Sequence, residues 1–193
     1  MLLSYTIHAM QIKKLNLGCG SDIRKGWINL DSTALAGVDV VHDIEKLPLP
    51  FSNEEFDEIL AQDVLEHMTD YVPVLHDLHR ILKKGGTLTI RVPHFTSKNN
   101  YIDPTHRRLF SVSTFEFFVK NSALRKERDY YFDFAFERIA LRRFTFEKSS
   151  RLFFYNRFTE WFFNLSPRLQ TFYESTGLSR EFPAENIVIQ LIK

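Results

Sequence analysis

Short apolar runs alternate with polar, turn-rich stretches throughout the first half of the chain. This pattern predicts strands separated by crossover segments. The strands are expected at 14–17, 26–31, 38–43, 56–61 and 87–92. Because strands that alternate with crossovers favour a parallel, doubly wound α/β sheet, a ligand is expected at the carboxyl ends of these strands.

A long crossover helix is predicted between the fourth and fifth strands. Apolar residues recur at three- and four-residue steps from Val64 to Leu82, and Asp63 stands at the position of an N-cap. The Lys83-Lys84-Gly85-Gly86 corner then supplies favourable charge and a left-handed stop at the C-terminal end.

The second half of the chain is patterned less regularly. A capping box at 113–116 predicts a short helix, alternation over 130–146 predicts one long strand, and spacing over 151–176 predicts a helix. The apolar run 186–192 predicts a last, antiparallel strand. Between Phe110 and Phe172 lie 15 of the 19 phenylalanines, so an aromatic-rich helical cap is expected here.

Composition and charge favour one domain with two unlike parts. The 193 residues carry a net charge of +1, yet residues 1–97 sum to −4 and residues 98–180 to +6. We expect a cofactor-binding half at 11–97, a substrate-side cap at 98–180 and a terminal strand at 181–193. A single cysteine, no signal-peptide pattern and no long apolar run predict a cytoplasmic protein.

The most distinctive residues stand at predicted strand ends. Gly18-Cys19-Gly20 follows the first strand, where glycine lets a ligand approach the backbone closely. Asp31 comes 11 residues after Gly20, at the end of the second strand, where it can accept hydrogen bonds from a ribose diol. Ile23, where nicotinamide binding needs a small residue, argues against a dinucleotide, and no GKS or GKT follows as in a P-loop.

Several ordered motifs make the chain resemble the class I S-adenosylmethionine (SAM)-dependent methyltransferases of the methyltransferase type 11 kind. Their Rossmann-like sheet has seven strands and ends in an antiparallel hairpin. The resemblance covers roughly 13–93 and is carried by the segments 15–20, 29–31, 42–44, 56–67 and 78–86. Asp22 departs from the family's usual third glycine, and the first crossover is too short for a full helix and a strand.

This resemblance implies SAM as the cofactor and assigns roles to the strand-end residues. Asp31 would bind the ribose hydroxyls, Asp43 the adenine amino group, with Ile44 packing nearby, and the backbone of Gly18 and Gly20 the methionine portion. The remaining expected cofactor contacts are Asn16, Cys19, Gln62 and Asp63. A sulfonium is positively charged, so an acidic pocket suits it. A helix-capping role explains Asp63 equally well. Cys19 is interpreted as a small side chain that fills space beside the cofactor and has no part in catalysis.

Histidines after the fifth strand are the candidates for proton transfer. His106, oriented by Asp103, is predicted as the general base, with His94 on the substrate. The alternative is that Asp103-Pro104 begins a turn and His106 packs structurally. His67 and Arg107 are predicted on the substrate side. No metal site is expected, since His76 and His79 lack a third ligand.

The predicted activity is methyl transfer to a small-molecule, sugar or lipid-linked acceptor, at oxygen. The alternative is a catalytically weak cofactor-binding module that recruits a protein, membrane or nucleic-acid partner. The aromatic and basic segment 151–165 fits either core packing or contact with a membrane surface. A pI near 7.9 without a dense basic cluster disfavours nucleic acid. The sequence leaves the oligomeric state open.

Overall fold

A computed structural model describes residues 12–149, 151 and 154–193. Within these residues a seven-stranded sheet has the order β3-β2-β1-β4-β5-β7-β6. The strands are β1 Lys14–Leu17, β2 Ile28–Asp31, β3 Val40–Val41, β4 Phe56–Gln62, β5 Leu82–Pro93, β6 Arg138–Thr145 and β7 Asn186–Ile192. The helices are α1 Tyr71–Ile81, α2 Asn99–Ile102, α3 Ala123–Glu127, α4 Asn156–Phe163, α5 Pro167–Ser175 and α6 Leu178–Glu181.

The sheet confirms the doubly wound α/β prediction. Strands β1 to β5 pair in parallel, and β7 is antiparallel to both β5 and β6. Leu15 and Leu17 are buried on one face of the central strand β1 and Asn16 on the other, as a strand covered on both faces requires. The order reverses between β1 and β4, so the carboxyl ends of these two strands form the crevice where such sheets bind ligands.

The helix predicted over 64–82 is wrong in its first part. Residues Leu65–His67 form a single 3-10 turn, and α1 begins only at Tyr71, where the Asp70 carboxylate accepts a 3.0 Å hydrogen bond from the Val72 amide. Pro73 explains the difference, because proline inside a longer helix would remove a hydrogen bond and clash with the preceding turn. In the first turn of α1 its missing N–H leaves nothing unpaired.

The second half is also more broken than predicted. The strand expected over 130–146 is confined to β6, Arg138–Thr145, and the helix expected over 151–176 is split into α4 and α5. Ser166 restarts the helix, since its hydroxyl accepts a hydrogen bond from the Leu169 amide and proline follows it. Residues 1–11, 150, 152 and 153, on which parts of these predictions fell, lie outside the described residues.

Most of the described aromatic rings of the second half are core. Phe115, Phe118 and Phe136 are almost fully buried, and Phe134 stacks on His76 of α1 at a ring distance of 4.8 Å. This segment therefore covers α1 and the sheet, which confirms the core interpretation for these rings. Among the helices described, none has the length and apolar character needed to cross a bilayer.

Candidate functional site

The turn after β1 is built from backbone in the left-handed region. Gly18 has φ +61° and Gly20 has φ +49°, a conformation that favours glycine. A Cβ on Gly18 would lie 2.6 Å from Val64 Cγ2, whereas a Cβ on Gly20 would meet nothing within 4 Å. Gly18 is thus required by packing, and Gly20 leaves open space over its backbone that a ligand can use.

Asp31 lies directly beside this turn. Its Oδ2 accepts a 2.8 Å hydrogen bond from the Gly20 amide, and its Oδ1 accepts a 2.9 Å hydrogen bond from the Thr33 amide. A carboxylate has about four acceptor positions, so two remain for further donors. An anchored acceptor beside an open glycine backbone fits a ribose diol, and its charge fits a sulfonium cofactor.

The end of β3 reaches the same turn. Ile44 is buried, and its Cδ1 lies 3.4 Å from the position of a Cβ on Gly18. Asp43 is half-exposed; its Oδ1 accepts a hydrogen bond from the Glu45 amide and its Oδ2 lies 3.7 Å from Lys46 Nζ. Ile44, one of the two residues predicted for the adenine side, is therefore adjacent to the glycine turn.

Two other residues predicted to contact the cofactor, Asn16 and Cys19, are buried in β1 and in the turn after it. Asn16 is buried, and its Nδ2 donates to the Asp22 carbonyl at 2.7 Å and to Asn29 Oδ1 at 3.1 Å, which braces the turn. Cys19 is also buried, and burial followed by the charge of Asp31 raises the pKa of its thiol. A thiol held protonated is a poor nucleophile, in keeping with the filler interpretation.

Asp63 is not the helix cap that its position suggested. It has φ +55° after β4 and forms a two-point ion pair with Arg91, including an Nε to Oδ1 distance of 2.8 Å. Gln62, the last residue of β4, is the register partner of Arg91 on β5. Because Arg91 balances its charge, Asp63 contributes less negative field to a cofactor than an unpaired acid would.

A cleft of about 420 Å³ lies at the ends of β4 and β5 and the start of β7. Its wall carries acids, imidazoles and one arginine, with an apolar residue from α2. The lining residues are Asp63, Glu66, His67, Arg91, Pro93, Asn99, Ile102, Asp103, His106, Glu185 and Asn186.

Three side chains converge in this cleft. The rings of His67 and His106 meet edge to face with centroids 4.6 Å apart. Glu66 is fully buried, and within the described part of the chain neither carboxylate oxygen has a hydrogen-bond partner. Burial raises the pKa of Glu66 to about 8, while burial and the neighbouring His106 lower the pKa of His67.

Asp103 lies near both imidazoles and is linked to His67 through Thr105. The Thr105 hydroxyl donates to Asp103 Oδ1 at 2.6 Å and lies 2.8 Å from His67 Nδ1. Asp103 Oδ2 lies 3.8 Å from His106 Nε2. Hydrogen bonds from the Thr105 hydroxyl and amide hold the pKa of Asp103 below its usual value, which keeps it anionic. The structure therefore brings Asp103, His106 and His67 together.

Arg107 and His94 lie elsewhere. The Arg107 guanidinium donates to Thr69 Oγ1 at 2.6 Å, and its amide donates to the Glu66 carbonyl at 2.8 Å, so it fixes the His106 loop over the 3-10 turn. His94 is fully buried, with Nε2 3.0 Å from Glu174 Oε1 and Nδ1 2.7 Å from Thr96 Oγ1. The structure does not bring His94 to the cleft that His106 lines.

Glu66, Arg91 and Glu185 are the charged cleft residues that sequence reasoning missed. A signal for Glu66 was present, since it stands next to His67 directly after the fourth strand. The assumption of a continuous helix over 64–82 hid it, because helical phasing gives no reason for a charged residue to be fully buried at that point.

Comparison with known proteins supports the assignment of this fold. Residues 8–90 match the family model described as a methyltransferase domain. A search of curated proteins finds no match. Solved structures match at 16–20% identity, which by itself shows the fold alone.

Three of these structures span most of the chain. A SAM-dependent methyltransferase from Archaeoglobus fulgidus is 20% identical, with 95% of this chain and 87% of that one covered and a TM-score of 0.58. A Thermotoga maritima protein, described as a possible histamine N-methyltransferase, is 20% identical, with coverages of 94% and 82% and a TM-score of 0.56.

The third is the Haloferax volcanii complex of the Trm112 methyltransferase activator with a methyltransferase; identity is 16%, coverages are 94% and 82%, and the TM-score is 0.56.

The family match lies on the half that carries the glycine turn and Asp31, and the seven-stranded sheet includes strands from both halves of the described chain. Residues 8–90 are therefore similar to a methyltransferase domain, and the chain has the fold of SAM-dependent methyltransferases of known structure.

Proposed function

We propose that this enzyme transfers the methyl group of SAM to a hydroxyl oxygen of a small-molecule, sugar or lipid-linked acceptor. The cleft with His67, His106 and Asp103, next to the strand ends expected to hold the cofactor, carries the proposal. A hydroxyl must lose its proton as it becomes the nucleophile, so groups that accept a proton are useful there. An acceptor that is already anionic would need none.

Roles follow from position. Asp31 and the Gly18 and Gly20 backbone hold the ribose and methionine portions, and Asp43 with Ile44 holds the adenine. This arrangement presents the sulfonium methyl toward the cleft, where alignment with the nucleophile supplies much of the rate. His106, held by Asp103, accepts the hydroxyl proton as the oxygen attacks the methyl carbon. The S–C bond breaks with its electron pair left on sulfur.

The remaining predicted residues have supporting roles. His67 lies against His106 and is assigned to the acceptor side of the cleft. Arg107 positions the loop that carries His106. His94 is proposed as a positioning residue, because its contact with Glu174 ties the end of β5 to α5.

Exposed apolar side chains at the cleft favour an acceptor with an apolar part. Ile102 lines the cleft and is 68% exposed, and its neighbour Tyr101 is 77% exposed. Apolar surface of this kind beside polar groups is typical of sites that bind amphipathic molecules. A sugar or headgroup would occupy the polar cleft while a lipid tail or aglycone covers these residues.

A peripheral membrane contact suits such an acceptor. Phe158 and Trp161 of α4 are more than half exposed beside Arg157, and the acid of this helix, Glu160, is buried. Basic and aromatic side chains on one helix attract anionic headgroups and insert apolar surface. Phe153, part of the segment predicted to do this, lies outside the described residues. Sedimentation with phosphatidylglycerol vesicles, compared with phosphatidylcholine vesicles, tests this membrane contact.

The cytoplasmic location stays a prediction, based on the single cysteine.

The activity is tested by measuring acceptor-dependent formation of S-adenosylhomocysteine with a panel of hydroxyl-bearing sugars, phenols and lipid-linked glycans. His106→Gln is compared with His76→Gln, which alters an exposed imidazole on α1. We expect product with at least one acceptor class, and loss of it in His106→Gln only. Equal turnover in both variants, or methylation confined to nitrogen or carbon acceptors, would overturn the proposal.

A further inference from the structure

We propose that Glu66, His67 and His106 form a binding site for one divalent transition-metal ion of the Zn²⁺ class. One carboxylate and two imidazoles facing a cleft form a ligand set that suits zinc and related ions and leaves coordination positions open. The single cysteine, Cys19, takes no part, and the two imidazoles of α1, His76 and His79, are not involved.

The three groups are already close enough to converge on one ion. One ligand atom from each lies within 4.8 Å of the others. Tetrahedral ligands about 2.1 Å from an ion are about 3.4 Å apart, so each atom must move by about 1 Å or less. Small side-chain rotations supply such a movement, and the backbone of the 3-10 turn can stay in place.

Unpaired buried atoms point independently to a ligand. Glu66 is 0% exposed, and both of its oxygens lack a partner among the described residues. His106 Nδ1 is likewise buried and without a partner there. Buried polar groups are nearly always hydrogen-bonded, because leaving them unpaired is unfavourable. A cation between the carboxylate and the imidazoles satisfies all of these atoms together.

The surroundings prepare His67 as a ligand. The single proton of the Thr105 hydroxyl is donated to Asp103, so this hydroxyl accepts a hydrogen bond from His67 Nδ1–H. The Nε2 lone pair of His67 is therefore left to bind an ion. A ligating histidine that donates its other N–H into a carboxylate-ended chain is the usual support of metal sites.

The charge of the cleft also favours a cation. Four acids, Asp63, Glu66, Asp103 and Glu185, line it together with one arginine. Arg91 is held by Asp63, so Asp103 and Glu185 leave the cleft with an excess of negative charge. Such a field concentrates cations in the cleft.

A bound ion would also take part in the methyl transfer proposed above, and this catalytic role rests on that proposed function. Glu66, His67 and His106 would hold the ion, which would supply Lewis acidity that makes an acceptor hydroxyl release its proton to water more readily. The oxygen would then bond to the methyl carbon as the S–C bond breaks with its electron pair left on sulfur. His106 would accept the hydroxyl proton only in the ion-free enzyme, because in the loaded enzyme its ring nitrogen would bind the ion. Binding of the ion does not depend on methyl transfer, so the two are measured separately.

Isothermal titration of the chelator-treated full chain with ZnCl₂ tests the site, with Co²⁺ absorption spectra as a second readout of the ligand set. We expect one equivalent to bind, and Glu66→Gln, His67→Gln or His106→Gln to weaken it at least about tenfold. His76→Gln, a histidine outside the cleft, should bind as the wild type does. Thr105→Val, which removes only the support of His67, should weaken binding by a smaller factor.

Circular dichroism of each variant establishes that it is folded, and Glu66→Gln keeps the shape of the side chain. No stoichiometric binding by the wild type, or equal binding by Glu66→Gln and His76→Gln, would overturn the metal site. Acceptor methylation by a wild type that binds no zinc would leave the proposed methyl transfer intact and refute the metal site. Zinc binding without acceptor methylation would leave the metal site intact and refute the proposed methyl transfer.

Discussion

The two ends of the crevice at the strand termini are built in opposite ways. At the cofactor end, Gly18, Gly20 and Asp31 are held by backbone geometry and amide hydrogen bonds. At the acceptor end, Glu66 and His106 bring buried side-chain atoms together without partners among the described residues. The first set of residues is pre-organised by the chain itself, and the second leaves buried polar atoms that the proposed ligand would pair.

This difference reflects what each end has to recognise. The residues proposed to hold the cofactor are backbone amides and one carboxylate, and they need only a short stretch of chain after β1. A specific acceptor requires convergent side chains, and these come from segments about forty residues apart, at 65–67 and 103–106. Unpaired buried polar groups lower the stability of the free protein. Their presence therefore indicates side chains that are retained for binding or catalysis rather than for folding.

The largest expected effect separates the two ends directly. His106→Ala should lower turnover by about 10²–10⁴-fold while cofactor affinity changes by no more than about twofold, since proton transfer contributes that much and the cofactor contacts lie elsewhere. Single-turnover rates and calorimetric titration with S-adenosylhomocysteine measure the two quantities. A variant with nearly full turnover would show that His106 is structural and that the acceptor end has another chemistry.

The next effect concerns His94, which the structure separates from His106. Glu174 receives hydrogen bonds from His94, Ser111 and the Val112 amide. Burial alone would raise the pKa of Glu174, but these bonds outweigh it and hold the pKa below its usual value. Glu174→Ala should therefore lower the free energy of unfolding by about 3 kcal/mol, because it leaves buried partners unpaired.

Glu174→Gln is the matched control, because it retains a neutral acceptor of the same shape and should lose less stability than the alanine variant. Urea unfolding of both variants gives the comparison. If Glu174→Ala unfolds like the wild type yet loses turnover, His94 and Glu174 belong to the acceptor end after all.

Sequence reasoning could propose residues for the cofactor end because the information there is local. The glycine turn, Asp31 and the strand that precedes them lie within eighteen residues, and strand periodicity fixes which end they occupy. The acceptor end required the tertiary path of the chain. The apolar periodicity over 64–82 outweighed Pro73, which marks the first turn of a helix that begins later. No local sequence pattern shows that His94 is buried against α5 while His106 faces the cleft.

A smaller effect is expected at the cofactor end. Asp31→Ala removes charge-assisted hydrogen bonds to the ribose and the support of the Gly20 amide, so binding of SAM and S-adenosylhomocysteine should weaken by about 1.5–3 kcal/mol, or roughly 10- to 150-fold. Asp43→Ala, at a half-exposed position, should weaken binding less. Equal affinity of wild type and Asp31→Ala in calorimetry would remove Asp31 from the cofactor site.

The smallest effect provides a reference for imidazoles that belong to neither end. His79 of α1 packs against Phe136 at a ring distance of 5.1 Å, and burial, with the charge of Lys193, lowers its pKa to about 4. The unfolded chain takes up this proton near pH 6.5, before the folded protein does. The stability that comes from the neutral ring is thus fully present above pH 6.5 and is lost as the pH falls toward 4.

Urea unfolding tests this. Relative to His79→Gln, the wild type should lose about 1–3 kcal/mol of its free energy of unfolding between pH 7 and pH 4.5. Parallel pH curves for the two proteins would mean that His79 titrates in the folded state as it does in the unfolded chain, and the acid sensitivity of the fold would then have to come from the carboxylates.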